Sequence, residues 1–185
     1  MGSRVTDRIY AIDPQTWSVR KEFETPGKPY GITTFGDELR VVIAHGEEED
    51  RYLYRLLPDR GFDLESKMAC PDFTGSYIAA QGSTIYLAQL GLHRILLLKS
   101  DATVEREIPM ETRFAGLAFG PSGVYIISAD EEFENLKFGT LDVSQSAPRF
   151  ESIRPLPDAA RSIAYDGTRW WTCLRDEDEI ASFSA

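Results

Sequence analysis

Carboxylates gather in two short runs of this chain, His45-Gly46-Glu47-Glu48-Glu49-Asp50 and Asp130-Glu131-Glu132-Phe133-Glu134. Hard oxygen donors at this density suit Ca2+ or a basic partner, with Glu47, Glu49, Asp130 and Glu132 as the candidate ligands. Neither run has EF-hand spacing. The competing reading is two solvated hairpin tips, since charge runs are commonly just exposed. A third run, Asp176-Glu177-Asp178-Glu179, reads as a solvated connection near the C-terminus. No cofactor is implied beyond that Ca2+.

Cations offer the opposite chemistry. Arg113, Arg161 and Arg175 each fall at a segment boundary, where planar guanidinium groups can take a carboxylate or phosphate in bidentate fashion. The alternative is that they pair with the acidic runs. Tyr30 and Tyr77 add aromatic faces, and His45 with His93 is a candidate for a shared metal or acid–base role. Nucleophilic chemistry finds no support: Ser76 follows Gly75, but there is no Gly-x-Ser-x-Gly elbow and no assembled Ser-His-Asp set. Trp17 and the pair Trp170-Trp171 read as packing residues, the adjacent two on opposite faces of one strand.

Composition narrows the class. The formal net charge of −10 argues against a nucleic-acid surface, whose affinity rests on Lys and Arg neutralising phosphates. No run of about 18 apolar residues is present to span a membrane as a helix. Cys70 and Cys173 have no metal-ligand spacing and read as inert thiols, which favours the cytoplasm. A periplasmic or secreted location is the alternative if a leader preceded Met1-Gly2-Ser3.

The elements that position these residues repeat. Small apolar runs centre on Ile32, Ile78, Leu117 and Ile163, so alternate members lie 85 residues apart. A turn follows each: Gly36-Asp37, Gly82-Ser83, Gly120 to Gly123, and Asp166-Gly167. Next come β-branched and aromatic runs at 39–44, 85–89, 124–128 and 170–174. A third type spans 8–13, 52–57, 94–99, 137–142 and 179–184. A fourth, at 18–25, 62–68, 103–108 and 149–154, interleaves charge with apolar residues, as an exposed sheet edge requires. We label these types a, b, c and d. No stretch has the caps and 3.6-residue period of a helix.

Repeating four-stranded antiparallel units of about 40 residues, apolar inside and charged outside, describe a β-propeller. The expected fold is all-β and four-bladed, one domain over residues 1–185, with blades at 26–70, 71–109, 110–155, and 156–185 plus 4–25. The N-terminal c and d strands would close the last blade, displacing the redundant c strand around Ile180. Loops joining d to a and b to c share the channel-mouth face, which carries all the candidate residues above.

The segment Ile9-Tyr10-Ala11-Ile12-Asp13-Pro14-Gln15-Thr16, followed by Val19, resembles the strand c–turn–strand d part of YVTN, NHL and SMP-30-like propeller repeats. The Gly-His and Trp-Asp signatures of WD40 repeats are absent. The expected function is a non-enzymatic binding module for a protein or small molecule, with no nucleic-acid partner. The SMP-30-like resemblance implies the alternative of a metal-dependent hydrolase or lactonase holding a divalent ion with Glu and Asn/Asp. The single Asn, Asn135, fits that pattern poorly. A fragment of a larger propeller is the third reading.

Overall fold

The turn signals close hairpins where expected, and the strands follow from them. The structure, a computed structural model, describes residues 2–3, 6–145, 147–175, 177 and 179–185. Arg4 of the expected closing segment, and Asp176 and Asp178 of the third acidic run, lie outside the described residues. The fold is an all-β propeller of antiparallel blades. Four blades open with an a strand. The first contains β4 (Lys28–Phe35), β5 (Glu38–His45), β6 (Asp50–Leu57) and β7 (Gly61–Ala69), hydrogen-bonded in that order. The second contains β8 (Ile78–Gln81), β9 (Thr84–Gln89), β10 (Arg94–Leu98) and β11 (Val104–Pro109). The third contains β12 (Arg113–Gly120), β13 (Gly123–Ala129), β14 (Lys137–Asp142) and β15 (Arg149–Pro155). The fourth has three strands, β16 (Ala160–Tyr165), β17 (Trp170–Leu174) and β18 (Glu179–Phe183). A further three-stranded sheet precedes them: β1 (Gly2–Ser3), β2 (Arg8–Ile12) and β3 (Val19–Glu24).

One pairing differs from expectation. The c and d strands at the N-terminus do not complete the β16–β17 ladder. β18 takes that edge of β17, with Cys173 opposite Ile180 and Trp170 opposite Phe183. On the other side, β2 is flanked by β1 and β3. Chain entropy accounts for the choice: β17 and β18 are joined by a short loop, whereas pairing β2 with β17 closes a loop of most of the chain. The strand expected to be displaced is therefore an ordinary ladder strand.

By contacts the chain divides into two compact units: Met1–Leu87 with Leu98–Val104, and Ala88–Leu97 with Glu105–Ala185. In the first, Ile9, Phe23, Val41, Ile43, Tyr54 and Leu56 form one core between the N-terminal sheet and the first blade. In the second, the third and fourth blades bury Tyr125, Ile127, Leu136, Phe138, Ile163, Trp170 and Leu174 together. Trp170 is the bulk of that layer, with ring centroids 4.5 Å from Tyr125 and 4.8 Å from both Phe138 and Tyr165. Its neighbour Trp171 turns the other way, and its indole N–H donates to Asp166 Oδ2 at 2.7 Å. Trp17 does not pack between blades as expected. It sits 52% exposed in the β2–β3 turn with φ 59°, where Asp13 carboxylate and backbone bonds fix the chain reversal.

Small residues before the a-strand anchors have a steric cause. A Cβ on Gly31 would lie 2.7 Å from the Ser76 carbonyl oxygen and 2.8 Å from the Ile78 nitrogen of β8. On Gly116 it would lie 3.0 Å from the Ile163 nitrogen of β16. Innermost strands thus meet backbone to backbone. The d strands are outermost and largely exposed, as their charges anticipate.

Candidate functional site

Three a strands carry a register irregularity at the end that receives the d–a loop: Pro29 to Ile32 in β4, Phe114 to Gly116 in β12, and Arg161 to Ala164 in β16. Bulges of this kind re-aim side chains next to binding sites. In β16 the irregularity holds Ser162 at φ 59°, and Thr172 Oγ1 donates to the Ser162 carbonyl at 2.9 Å. The candidate residues at these loop ends fall into two groups, one in each unit.

In the first unit, Glu49 is the hub. Lys28 Nζ donates to its Oε1 at 2.8 Å, and the Tyr30 hydroxyl donates to Oε2 at 2.7 Å. Arg51 donates to Oε2 through Nη1 and Nη2 at 3.2 and 3.1 Å, and its guanidinium lies 3.6 Å from the centroid of the Tyr30 ring. The Lys28 and Tyr30 hydrogen bonds lower the Glu49 pKa to about 2. Tyr30 and Glu49 are therefore brought together, but as partners in a closed cluster. Glu47 is exposed. His45 Nε2 is 3.0 Å from the Tyr54 hydroxyl, and its ring meets Tyr52 edge-on at 5.4 Å. Burial, followed by the positive charge of Lys67, lowers its pKa and so favours the neutral imidazole. Tyr77 is half-buried immediately before β8.

In the second unit the acidic b–c loop closes on itself. The Glu134 N–H donates to Asp130 Oδ1 and Asn135 Nδ2 donates to Oδ2, both at 2.7 Å. The Asn135 bond, then the Glu134 backbone, hold the Asp130 carboxyl below its ordinary value. Both oxygens of Asp130 are thus engaged, and Glu132 is exposed. The loop presents Phe133, at φ 61°, against the buried core. Two arginines from successive blades face that ring: Arg113 at 5.3 Å and Arg161 at 5.9 Å from its centroid. Arg161 Nη1 donates to the Asp158 and Ala160 carbonyls, each at 2.7 Å. Among the described residues neither guanidinium is in an ion pair with a carboxylate. Arg175 is exposed, and its backbone N–H donates to the Ala159 carbonyl at 2.9 Å. His93 is exposed in a left-handed conformation after a 3-10 turn at Leu90–Leu92.

The sequence named Arg113 and Arg161 but missed Phe133, whose only signal was an apolar residue inside an acidic run. It also missed Lys28 and Arg51 as partners of Glu49. Among the described residues no three His, Cys, Asp or Glu side chains are grouped to hold a metal ion. No helix among them is long and apolar enough to cross a membrane.

No protein-family model matches the chain, and no curated protein matches it. Solved structures do match in fold. A catalytically inactive virginiamycin B lyase from Staphylococcus aureus with quinupristin is 16% identical with a TM-score of 0.58, covering 98% of this chain and 61% of that one. A chain of a nidogen/laminin complex is 13% identical with a TM-score of 0.66, covering 97% and 86%. The PQQ-bound aldose sugar dehydrogenase of Streptomyces coelicolor is 14% identical with a TM-score of 0.60, covering 98% and 76%. The chain spans between 61% and 64% of the length of the three lyase chains it matches. At these identities the likeness is one of propeller fold, which hosts a lyase, a dehydrogenase and a member of a protein complex.

Proposed function

We propose that this protein is a non-enzymatic binding module whose Arg113 and Arg161, both near the ring of Phe133, take a carboxylate of a small-molecule or protein ligand. The observation that carries the reading is the convergence of two guanidinium groups from successive blades on one ring, with no ion pair to a carboxylate among the described residues. The acidic loop that was expected to neutralise them spends its Asp130 carboxylate on its own turn. Guanidinium groups over an aromatic face keep donors in their plane available, and a carboxylate accepts two of these at once.

A ligand bound by the folded state alone raises the melting midpoint by linkage. Thermal melting against a panel of mono- and dicarboxylates and acidic peptides is the direct test. A charge-assisted hydrogen bond contributes about 1.5–3 kcal/mol, so Arg113→Ala or Arg161→Ala weakens binding by roughly 10- to 100-fold. Unchanged binding in both variants, or no shift with any carboxylate, refutes the reading. A midpoint raised by Ca2+ and reversed by EDTA would instead favour the metal-dependent hydrolase.

A further inference from the structure

The first unit holds a second feature, away from the d–a and b–c loop ends. A cleft of about 580 Å³ is lined by Phe35, Gly36, Asp37, Glu38, Arg55, Leu57, Gly82 and Ser83, the a–b turns of two blades. Arg40 is not part of that lining, and its side chain is only 8% exposed. Arg40 Nη2 bonds Glu38 Oε1 at 2.7 Å, and its guanidinium lies 5.3 Å from the Phe35 ring, so it touches two residues of the cleft wall. Its Nε and Nη1 have no hydrogen-bond partner. Buried donors of a charged group are almost always paired, and each exception calls for an acceptor.

Glu38, on Nη2, shows the kind of acceptor this guanidinium takes. Its carboxylate bridges two cations, giving Oε1 to Arg40 and Oε2 to Arg55 Nε, both at 2.7 Å. Asp63 is a looser second partner of Arg55, at 3.5 Å. The slot between the arginines is therefore shaped for a carboxylate and already holds one supplied by the chain itself. An incoming anion alone would leave Glu38 unpaired beside Asp37. A zwitterion would not, because its ammonium can take the released Glu38 and the neighbouring Asp37 while its carboxylate takes Arg40 and Arg55. The exchange is electroneutral.

We propose that this cleft binds a small zwitterion of the amino-acid class, with Glu38 as a resident carboxylate that exchanges with the ligand's. The proposal shares no residue with the Arg113–Arg161 pair and does not depend on it. The test follows the Arg40 and Arg55 Nε–H signals by NMR while L-alanine or acetate is titrated into wild type, Glu38→Gln, Arg55→Gln and Arg40→Met. Wild type should give a saturable shift with L-alanine and prefer it to acetate. In Glu38→Gln the preference should reverse: acetate binds at least about tenfold tighter as the competing charge is lost, and L-alanine weakens. Arg55→Gln, at a half-exposed position, should lose both ligands without threatening the fold. Absence of a saturable shift in wild type and Glu38→Gln alike overturns the proposal, as does L-alanine binding that persists in Arg55→Gln or Arg40→Met.

Discussion

Gly120→Ala tests the layer that joins the third and fourth blades. A Cβ at Gly120 would lie 2.4 Å from Trp170 Cζ2, 2.6 Å from Cη2 and 2.8 Å from Tyr125 Cε2. Neither ring has room to yield: Trp170 is 2% and Tyr125 4% exposed, and their centroids are 4.5 Å apart. Phe138 and Tyr165 also pack on Trp170, each with its ring centroid at 4.8 Å. Overpacking of this kind costs about 1–3 kcal/mol. For a chain of this length each kcal/mol lowers the melting midpoint by roughly 2–4 °C, so the expected drop is about 2–12 °C. Far-UV circular dichroism reads it without relying on Trp170 fluorescence. Trp170→Phe removes the two closest of these atoms and leaves Tyr125 Cε2 in place, so the two substitutions should not add in full. In Gly120→Ala/Trp170→Phe, the alanine should cost at least about 1 kcal/mol less than it does alone. If the two costs add within roughly 0.5 kcal/mol, the contact is not what makes glycine necessary there.

Other outcomes follow from the same geometry. Gly31→Ala should destabilise more than Gly36→Ala, because the first meets the Ser76 carbonyl oxygen at 2.7 Å and the Ile78 nitrogen at 2.8 Å and the second, though at φ 61°, meets nothing within 4 Å; paired urea titrations decide it. Glu49 is held at about 2 in the folded chain against an ordinary 4.5, so its contribution is complete above pH about 4.5 and is lost as pH falls toward 2. Stability measured across that window should fall less steeply in Glu49→Gln, and an unchanged slope refutes the cluster. Burial raises the Cys70 thiol to about 12, so a thiol reagent should label Cys173 in the native protein and Cys70 only after unfolding. Native labelling of both at equal rates would contradict this.

Much of the architecture was determined by sequence alone, because strands and turns depend on local rules. Alternation and Gly-Asp or Gly-Ser turns placed β5, β9, β13 and β17 within one or two residues, and charge interleaving marked β7, β11 and β15 as outer edges. Gly31 and Gly116 stand just before the a-strand anchors Ile32 and Leu117, where the backbone of the neighbouring strand leaves little room for a side chain. What tertiary structure decided was partnership. Ile9 and Ile180 are equivalent in the repeat, and only the competition between a short and a long loop closure sent β18 rather than β2 to the edge of β17. Two acidic loops that look alike in sequence part company in space. One gives Glu49 to Lys28, Tyr30 and Arg51, and the other folds Asp130 onto its own turn. That second closure leaves Phe133, rather than a carboxylate, facing Arg113 and Arg161. A carboxylate's role depends on which donors reach it first, and those donors come from strands distant in the chain.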